Sequence, residues 1–443
     1  MALENLYVAV IGAGPAGLYG AQTLAKLGAR VVILNRDIKP GGLAEYGIYP
    51  DKYKMKDGLR AQFEKILASP QIKYLGNVTI GKNGALTIPE LFDLGFDAVL
   101  VTVGAQGTKW LGLPGEHLRG VYHAKDLVYH YNKLPPFSSK QFEIGQHVVV
   151  VGVGNVMMDM AHWLVRELKV DTVTAVARRG PAEVKFDKKE FEIVGANVDV
   201  NALDFEIARC EPFMRAVGQD PAQARAEILA GLPRALTPIS NTRFLFRFLA
   251  SPREICGNAA GHANGLEIEN NELTRANGDL KAKGLGTFDE IPCDTIIFAI
   301  GDAVDEQFGL PLARGAFAVN PAPRFPIDGI SYEAFDPQTQ TPLEGIFLAG
   351  WARQASTGLV GVARKDGTNG ATAVSEFLQT LPQPRKFHPD ALRETLHTRG
   401  ITPVTNADVK KLENAEDAEA KARGLPEFKY ATNEDMLAVI RGQ

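Results

Sequence analysis

The sequence predicts an α/β protein made of two separate units of parallel sheet, and three observations carry that expectation. Residues 7–35 read YVAVIGAGPAGLYGAQTLAKLGARVVILN, an apolar run, a glycine turn and a segment whose apolar residues recur at helical spacing. Residues 147–179 repeat that order around a second glycine turn, and apolar runs ending in glycine return at 97–104 and 345–350. With 443 residues, 45% hydrophobic and 23% charged, the chain has length for two or three domains.

In the first unit, residues 7–11 suit a buried parallel strand, and Gly12-x-Gly14-x-x-Gly17 turns the chain into a helix over 16–27. Gly28 ends that helix and 29–34 supply the next strand, which completes a βαβ unit of the dinucleotide-binding kind. Gly12 allows the tight turn, Gly14 lets backbone approach a pyrophosphate, and Gly17 lets helix and strand pack closely. The anion is expected on the N–H groups and positive dipole end of the helix. Where an acidic residue commonly ends the second strand stands Asn35, 23 positions after Gly12, and its carboxamide can still bond a ribose hydroxyl.

Residues 39–57 hold glycine, proline and charge and read as a loop near the nucleotide, with Gly41 and Gly42 permitting close backbone approach. A helix over 59–67, a strand over 72–78, a helix over 87–94 and a strand over 97–103 follow.

The second unit has a strand at 148–151, the turn Gly152-x-Gly154, a helix over 156–168 and a strand over 172–177 that delivers Arg178 and Arg179. Met157 occupies the third glycine position. An arginine pair at this strand end suits a ribose 2′-phosphate, which points to NADP. A strand over 295–300 closes the unit, and from Pro382 onward a charged segment reads as a partly helical extension.

The formal net charge of -4 supplies no general attraction to nucleic acid, and no apolar run has the length to cross a bilayer. The first apolar run lacks the flanks of a signal peptide, so the cytoplasm is the expected location. Cys210, Cys256 and Cys293 form no C-x-x-C, which excludes a redox-active dithiol and a cluster held by this chain, and the eight histidines show no metal-binding spacing. Residues 209–253 carry seven arginines against Glu211, Asp220 and Glu227, a local excess that suits an acidic protein partner.

Two such units, an FAD type first and an NADP type inserted, suggest a flavoprotein passing hydride from nicotinamide to flavin. The chain closely resembles the adrenodoxin reductase family of NADPH:ferredoxin oxidoreductases. The resemblance rests on GAGPAG (12–17), GLAEYGIYPD (42–51), LGLPGE (111–116), GVGNVMMD (152–159), RRGPAEVKFDKKE (178–190), FRFLASP (246–252) and GWARQASTGLVG (350–361). It extends to the C-terminal DVKKLENAEDAEAKARG and EDML, so that it spans almost the whole chain.

The resemblance implies two Rossmann-like dinucleotide-binding domains. A discontinuous FAD domain covers 1–107 and 322–382, an inserted NADP domain 108–321, and an appended segment 383–443. FAD would meet Gly12, Gly14, Ala16, Gly17, Asn35, Gly42, Leu43, Val78, Trp351, Gly358, Leu359 and Val360. NADP(H) would meet Gly152, Gly154, Asn155, Val156, Met157, Arg178, Arg179, Glu190 and Gly358. No metal is implied. Departures from the family are Asn35 for a Glu, Met157 for an Ala, Lys52 where a His often follows Pro-Asp, and Ser356 for a Pro. Electrons would pass singly to a ferredoxin-type iron–sulfur protein or a flavodoxin. The alternative is a subunit of a larger complex, related to glutamate synthase small subunits, which carry a cysteine-rich cluster domain not found in these residues. An oxygen-using monooxygenase shares both glycine motifs.

Overall fold

The computed structural model describes residues 3–276, 278–355 and 358–443, and Ser356 lies outside them. It divides into one unit formed by residues 1–109, 129–139 and 301–443 and another formed by 110–128 and 140–300. Residues 129–139 and 301–321, expected with the inserted domain, group with the first unit. Their apolar side chains explain this: Tyr129 and Leu134 pack with Tyr46, while Phe308, Leu310 and Phe317 pack with Ile11 and Val99.

The first unit is built on a six-stranded sheet in the order Glu333–Asp336, Thr341–Leu348, Ala98–Val101, Tyr7–Ile11, Arg30–Leu34, Ile72–Leu75. Every neighbouring pair is parallel except the first. Both faces are covered, which is why these strands read as continuous apolar runs. Val8, Val10 and Leu100 enter one core with Leu18, Phe63 and Val374, and Ala9, Ile11 and Val99 enter the other with Leu91, Phe96 and Leu396. The helix Pro15–Lys26 carries proline at its first position, where the missing N–H costs nothing. It packs against the helix Val360–Thr380 through small residues, since a Cβ on Gly367 would lie 2.1 Å from the carbonyl oxygen of Ala16.

Two expectations change here. The segment 39–57 is not an unbroken loop, because Leu43–Tyr46 forms one helical turn and the helix Tyr53–Leu67 starts six residues before the expected position 59. The C-terminal segment consists of helices Pro389–Thr398, Asn406–Arg423 and Asn433–Arg441, and Leu392, Leu396, Val409, Leu412 and Met436 are buried in the cores of the first unit.

The second unit has five parallel strands in the order Val121–His123, Thr295–Phe298, His147–Val151, Thr172–Val176, Arg243–Arg247. Val149, Val151, Ile296 and Phe298 pack on Ile255, Leu266 and Ile268 of an antiparallel sheet formed by Ala250–Gly257, Ala263–Ala276 and Asp279–Pro292. Those three strands and the helices Val200–Ala216 and Pro221–Ile228 were not evident from the sequence.

Candidate nucleotide sites

In the first unit the strand Tyr7–Ile11 ends at Gly12, whose φ of +99° only glycine adopts without strain. A Cβ on Gly17 would stand 2.0 Å from the Gly12 carbonyl oxygen, so the third glycine is fixed by packing. A Cβ on Gly14 would meet nothing within 4 Å, the clearance a pyrophosphate needs at the start of a helix. Thr102, which sequence reasoning missed, locks the turn: its hydroxyl is 2.9 Å from the carbonyl oxygens of both Ile11 and Gly12.

The Asn35 side chain, expected at the ribose, is engaged within the protein. Its Oδ1 accepts the N–H of Ala13 at 2.9 Å, while Nδ2 donates to the carbonyls of Asp37 at 2.8 Å and Lys39 at 3.2 Å and to the Tyr74 hydroxyl at 3.1 Å. The carboxamide is buried and turned into the protein, where it ties the glycine turn to the segment after the second strand.

Around this turn the fold gathers several of the expected FAD residues. Gly41 donates to the Ala13 carbonyl at 2.8 Å, and a Cβ on Gly42 would be 3.0 Å from the Gly14 Cα. Leu43 opens the helical turn that follows, and the fully buried Val78 donates its N–H to the Asn35 carbonyl at 2.9 Å. From the far side of the sheet order, a Cβ on Gly350 would come within 2.7 Å of the Ala16 Cβ, which brings the turn bearing Trp351 to the same helix start. Asp366 fixes that turn by accepting the Gly350 N–H at 2.6 Å and by pairing with Arg353. Gly358 takes a φ of +77° and Leu359 is 71% exposed, just before Val360 begins its helix.

In the second unit Gly152 approaches the sheet so closely that a Cβ would lie 2.4 Å from the Ala299 carbonyl, whereas a Cβ on Gly154 would meet nothing within 4 Å. The cradle is again open at the middle glycine. Met157 is fully buried, so the bulk at the third position is taken up by core packing. Val156 is 44% exposed. Asn155, expected at the nucleotide, exchanges two hydrogen bonds of 2.7 Å with Asp187, one through the Asp187 carboxylate and one through its N–H. That exchange holds the loop after Arg179 against the glycine turn, and Glu190 follows in the first turn of the helix Lys188–Val194.

Arg178 is exposed and Arg179 partly so, directly after the strand Thr172–Val176. Among the described residues neither guanidinium has a protein partner, although the Arg178 carbonyl accepts from Asn271 and the Arg179 carbonyl from Leu249. Two cations held at a strand end without carboxylates suit a phosphate dianion.

The expected basic face at 209–253 is overturned. Arg209, Arg215, Arg225, Arg234, Arg243, Arg247 and Arg253 pair with Glu206, Glu211, Asp204, Glu192, Asp199, Asp289 and Glu269 respectively. Six of these acids lie outside residues 209–253, so the excess charge of that stretch is neutralised in place. Burial pushes the thiols of Cys210 and Cys293 up to about 12, which leaves them inert. No metal-binding group of His, Cys, Asp or Glu occurs among the described residues.

Residues 6–197 match the family described as pyridine nucleotide-disulphide oxidoreductase. The chain is 29% identical to the NADPH-ferredoxin reductase FprA of Mycobacterium leprae, with 98% of each covered, and 27% identical to the human mitochondrial NADPH:adrenodoxin oxidoreductase, with 98% of this chain and 91% of that one covered. Among solved structures it is similar to Mycobacterium tuberculosis FprA in complex with NADPH, at a TM-score of 0.79 and 26% identity over 98% of this chain and 99% of that one.

Proposed function

We propose that the chain is a member of the adrenodoxin reductase-like family of two-domain flavoproteins and an NADPH:ferredoxin oxidoreductase, with FAD in the first unit and NADPH in the second. A ferredoxin-type iron–sulfur protein is the acceptor, with a flavodoxin as a further one, and the cytoplasm is the site of action. FAD, when bound, would supply the exchange between a two-electron hydride donor and a one-electron acceptor.

The observation that carries this reading is the pair of open cradles at Gly14 and Gly154, of which the second is followed by Arg178 and Arg179, whose guanidinium groups have no partner among the described residues. The chain contributes position more than side-chain chemistry. Thr102 and Asn35 hold the first turn, Asp366 holds the turn of Trp351, and Asn155 with Asp187 holds the second turn. The side chains of Arg178 and Arg179 supply charge for the 2′-phosphate.

The absorbance spectrum of the purified chain before and after NADPH tests the proposal. A flavin spectrum that bleaches anaerobically with NADPH, and recovers on adding an oxidised ferredoxin, is the expected result. A colourless protein, or a flavin that NADPH does not bleach, rejects it.

A further inference from the structure

The first unit contains a buried cluster of seven charged groups that the proposed reaction does not use. Lys39, Glu45, Lys56 and Arg60 come from the segment around the Gly41–Gly42 turn and the helix after it, while Glu416, Glu427 and Lys429 come from the C-terminal segment. Glu45 accepts a bidentate pair from Arg60 at 2.6 and 2.7 Å, and Lys429 reaches both its Oε1 and its carbonyl oxygen at 2.9 Å. Lys39 pairs with Glu416, and its Nζ is 3.6 Å from Glu45 Oε1. Glu427 is 2.7 Å from Lys56 and 2.6 Å from Arg60. Lys429 also sits over the Tyr46 ring, 4.8 Å from its centroid.

Lys39, Glu45 and Lys429 are all nearly inaccessible, so each depends on its partners for the hydration it has lost. Their placement is specific. Lys39 precedes the glycine turn by two residues and Glu45 follows it by three, and that turn rests on Ala13 and Gly14 of the pyrophosphate cradle. Both flanks of the turn are therefore tied to residues almost four hundred positions away, with separations of 377 for Lys39–Glu416 and 384 for Lys429–Glu45.

We propose that Glu416 and Lys429 are positioning residues for FAD, holding the Gly41–Gly42 turn in its binding conformation so that docking of the C-terminal segment and retention of FAD are coupled. The inference rests on the reading that the first unit binds FAD. By reciprocity, whatever the docked segment adds to FAD affinity, bound FAD adds to docking of the segment. Burial lowers the Lys429 pKa to about 8, against the pull of Glu45 and Glu427.

The test uses the full chain, stripped of flavin and titrated with FAD by fluorescence. Lys429→Met and Glu416→Gln are each expected to weaken FAD roughly tenfold, the ordinary scale of a coupled interaction, while Lys429→Arg keeps the charge and recovers most of the affinity. A merely structural role would lower the melting temperatures of apo and FAD-bound protein together and leave FAD affinity unchanged. A second measurement needs no variant: FAD is expected to slow limited proteolysis of the wild-type chain near the exposed Leu425. FAD affinity unchanged in the folded variants, or, if the variants do not fold, cleavage at the same rate with and without FAD, overturns the proposal. A wild-type chain that binds no FAD at any concentration rejects the underlying functional reading instead.

Discussion

The carboxamide oxygen of Asn35 accepts the backbone N–H of Ala13 at 2.9 Å, which makes the residue at the end of the second strand a brace for the glycine turn. Asn35→Ala would strand that N–H and the carbonyl of Lys39, at about 1–3 kcal/mol for each buried group left without a partner, while the Asp37 carbonyl keeps the Asn77 N–H at 3.3 Å. Asn35→Glu, which puts a carboxylate at this position, would place negative charge against the carbonyls of Asp37 and Lys39. Both substitutions are expected to lower the melting temperature of the apoprotein, and the second is expected to weaken FAD binding. Tighter FAD binding by Asn35→Glu would show that the ribose governs this position after all.

Arg178 and Arg179 stand without protein partners among the described residues, so removing them leaves no carboxylate uncompensated. Alanine at both positions is therefore expected to spare stability and to weaken NADPH by about 1.5–3 kcal/mol for each charge-assisted hydrogen bond removed. NADH, which lacks the 2′-phosphate, should bind almost as before. Titration of the two nucleotides into wild type and variant decides the matter, and equal weakening of both would remove these arginines from the phosphate site.

Glu90 caps the helix Ile88–Asp93 through Thr87 and pairs with Arg399 of the C-terminal segment. The Arg399 guanidinium first, and then the N–H and hydroxyl of Thr87, hold its carboxyl down to about 2 from an ordinary 4.5. A lowered carboxyl pKa stabilises the fold above the unfolded value and loses that contribution as pH falls through the folded one. The stability difference between wild type and Glu90→Gln is thus expected to be constant from neutrality to about 4.5 and to shrink toward pH 2. Denaturant titrations at a series of pH values measure it, and a difference that persists at pH 2 would contradict the assignment.

Both cradles were legible because each is local: strand, glycine turn and helix lie within thirty-odd residues, and the shortness of the apolar run together with the glycines that end it separates the buried strand from the helix that follows. The positions set by distant partners were not. Lys39 and Lys56 stand in a segment that read only as a loop and Lys429 in one that read only as a charged extension, yet each is buried against carboxylates, and for Lys39 and Lys56 a partner lies more than 370 positions away. The arginine excess at 209–253 misled for the same reason, since Asp289 and Glu269 reach it from neighbouring strands and Asp199, Asp204 and Glu206 from a helix and its cap. Asn35 carried a partial signal, because a carboxamide both donates and accepts where a carboxylate only accepts.

Because those arginines are paired, they are not expected to steer an acidic acceptor. Arg243→Ala and Arg253→Ala should change stability by about 0.2–1 kcal/mol at most, as exposed ion pairs do, and should leave the rate of ferredoxin reduction at low salt unaltered. Stopped-flow reduction at two ionic strengths checks this. A steep fall in rate in either variant, with reduction of an uncharged dye unchanged, would restore this face as a docking site.

The turn that carries Trp351 is held by Asp366, and the two residues can be separated experimentally. Arg353 is 7% exposed in its pair with Asp366 and stacks over the Tyr332 ring at 4.8 Å, so removing the carboxylate leaves a buried cation and an orphaned Gly350 N–H. Breaking a buried pair of this kind costs about 3–5 kcal/mol, whereas removing one aromatic ring from a stacked arrangement costs on the order of 1 kcal/mol. Asp366→Ala is expected to lower the melting temperature of apo and FAD-bound protein sharply. Trp351→Ala should leave the apoprotein close to wild type and change FAD affinity or the rate of flavin bleaching by NADPH. The contrast depends on Trp351 facing the flavin and not the core. Apoprotein destabilised by Trp351→Ala as severely as by Asp366→Ala, with flavin behaviour unaltered in what remains folded, would assign the tryptophan to packing.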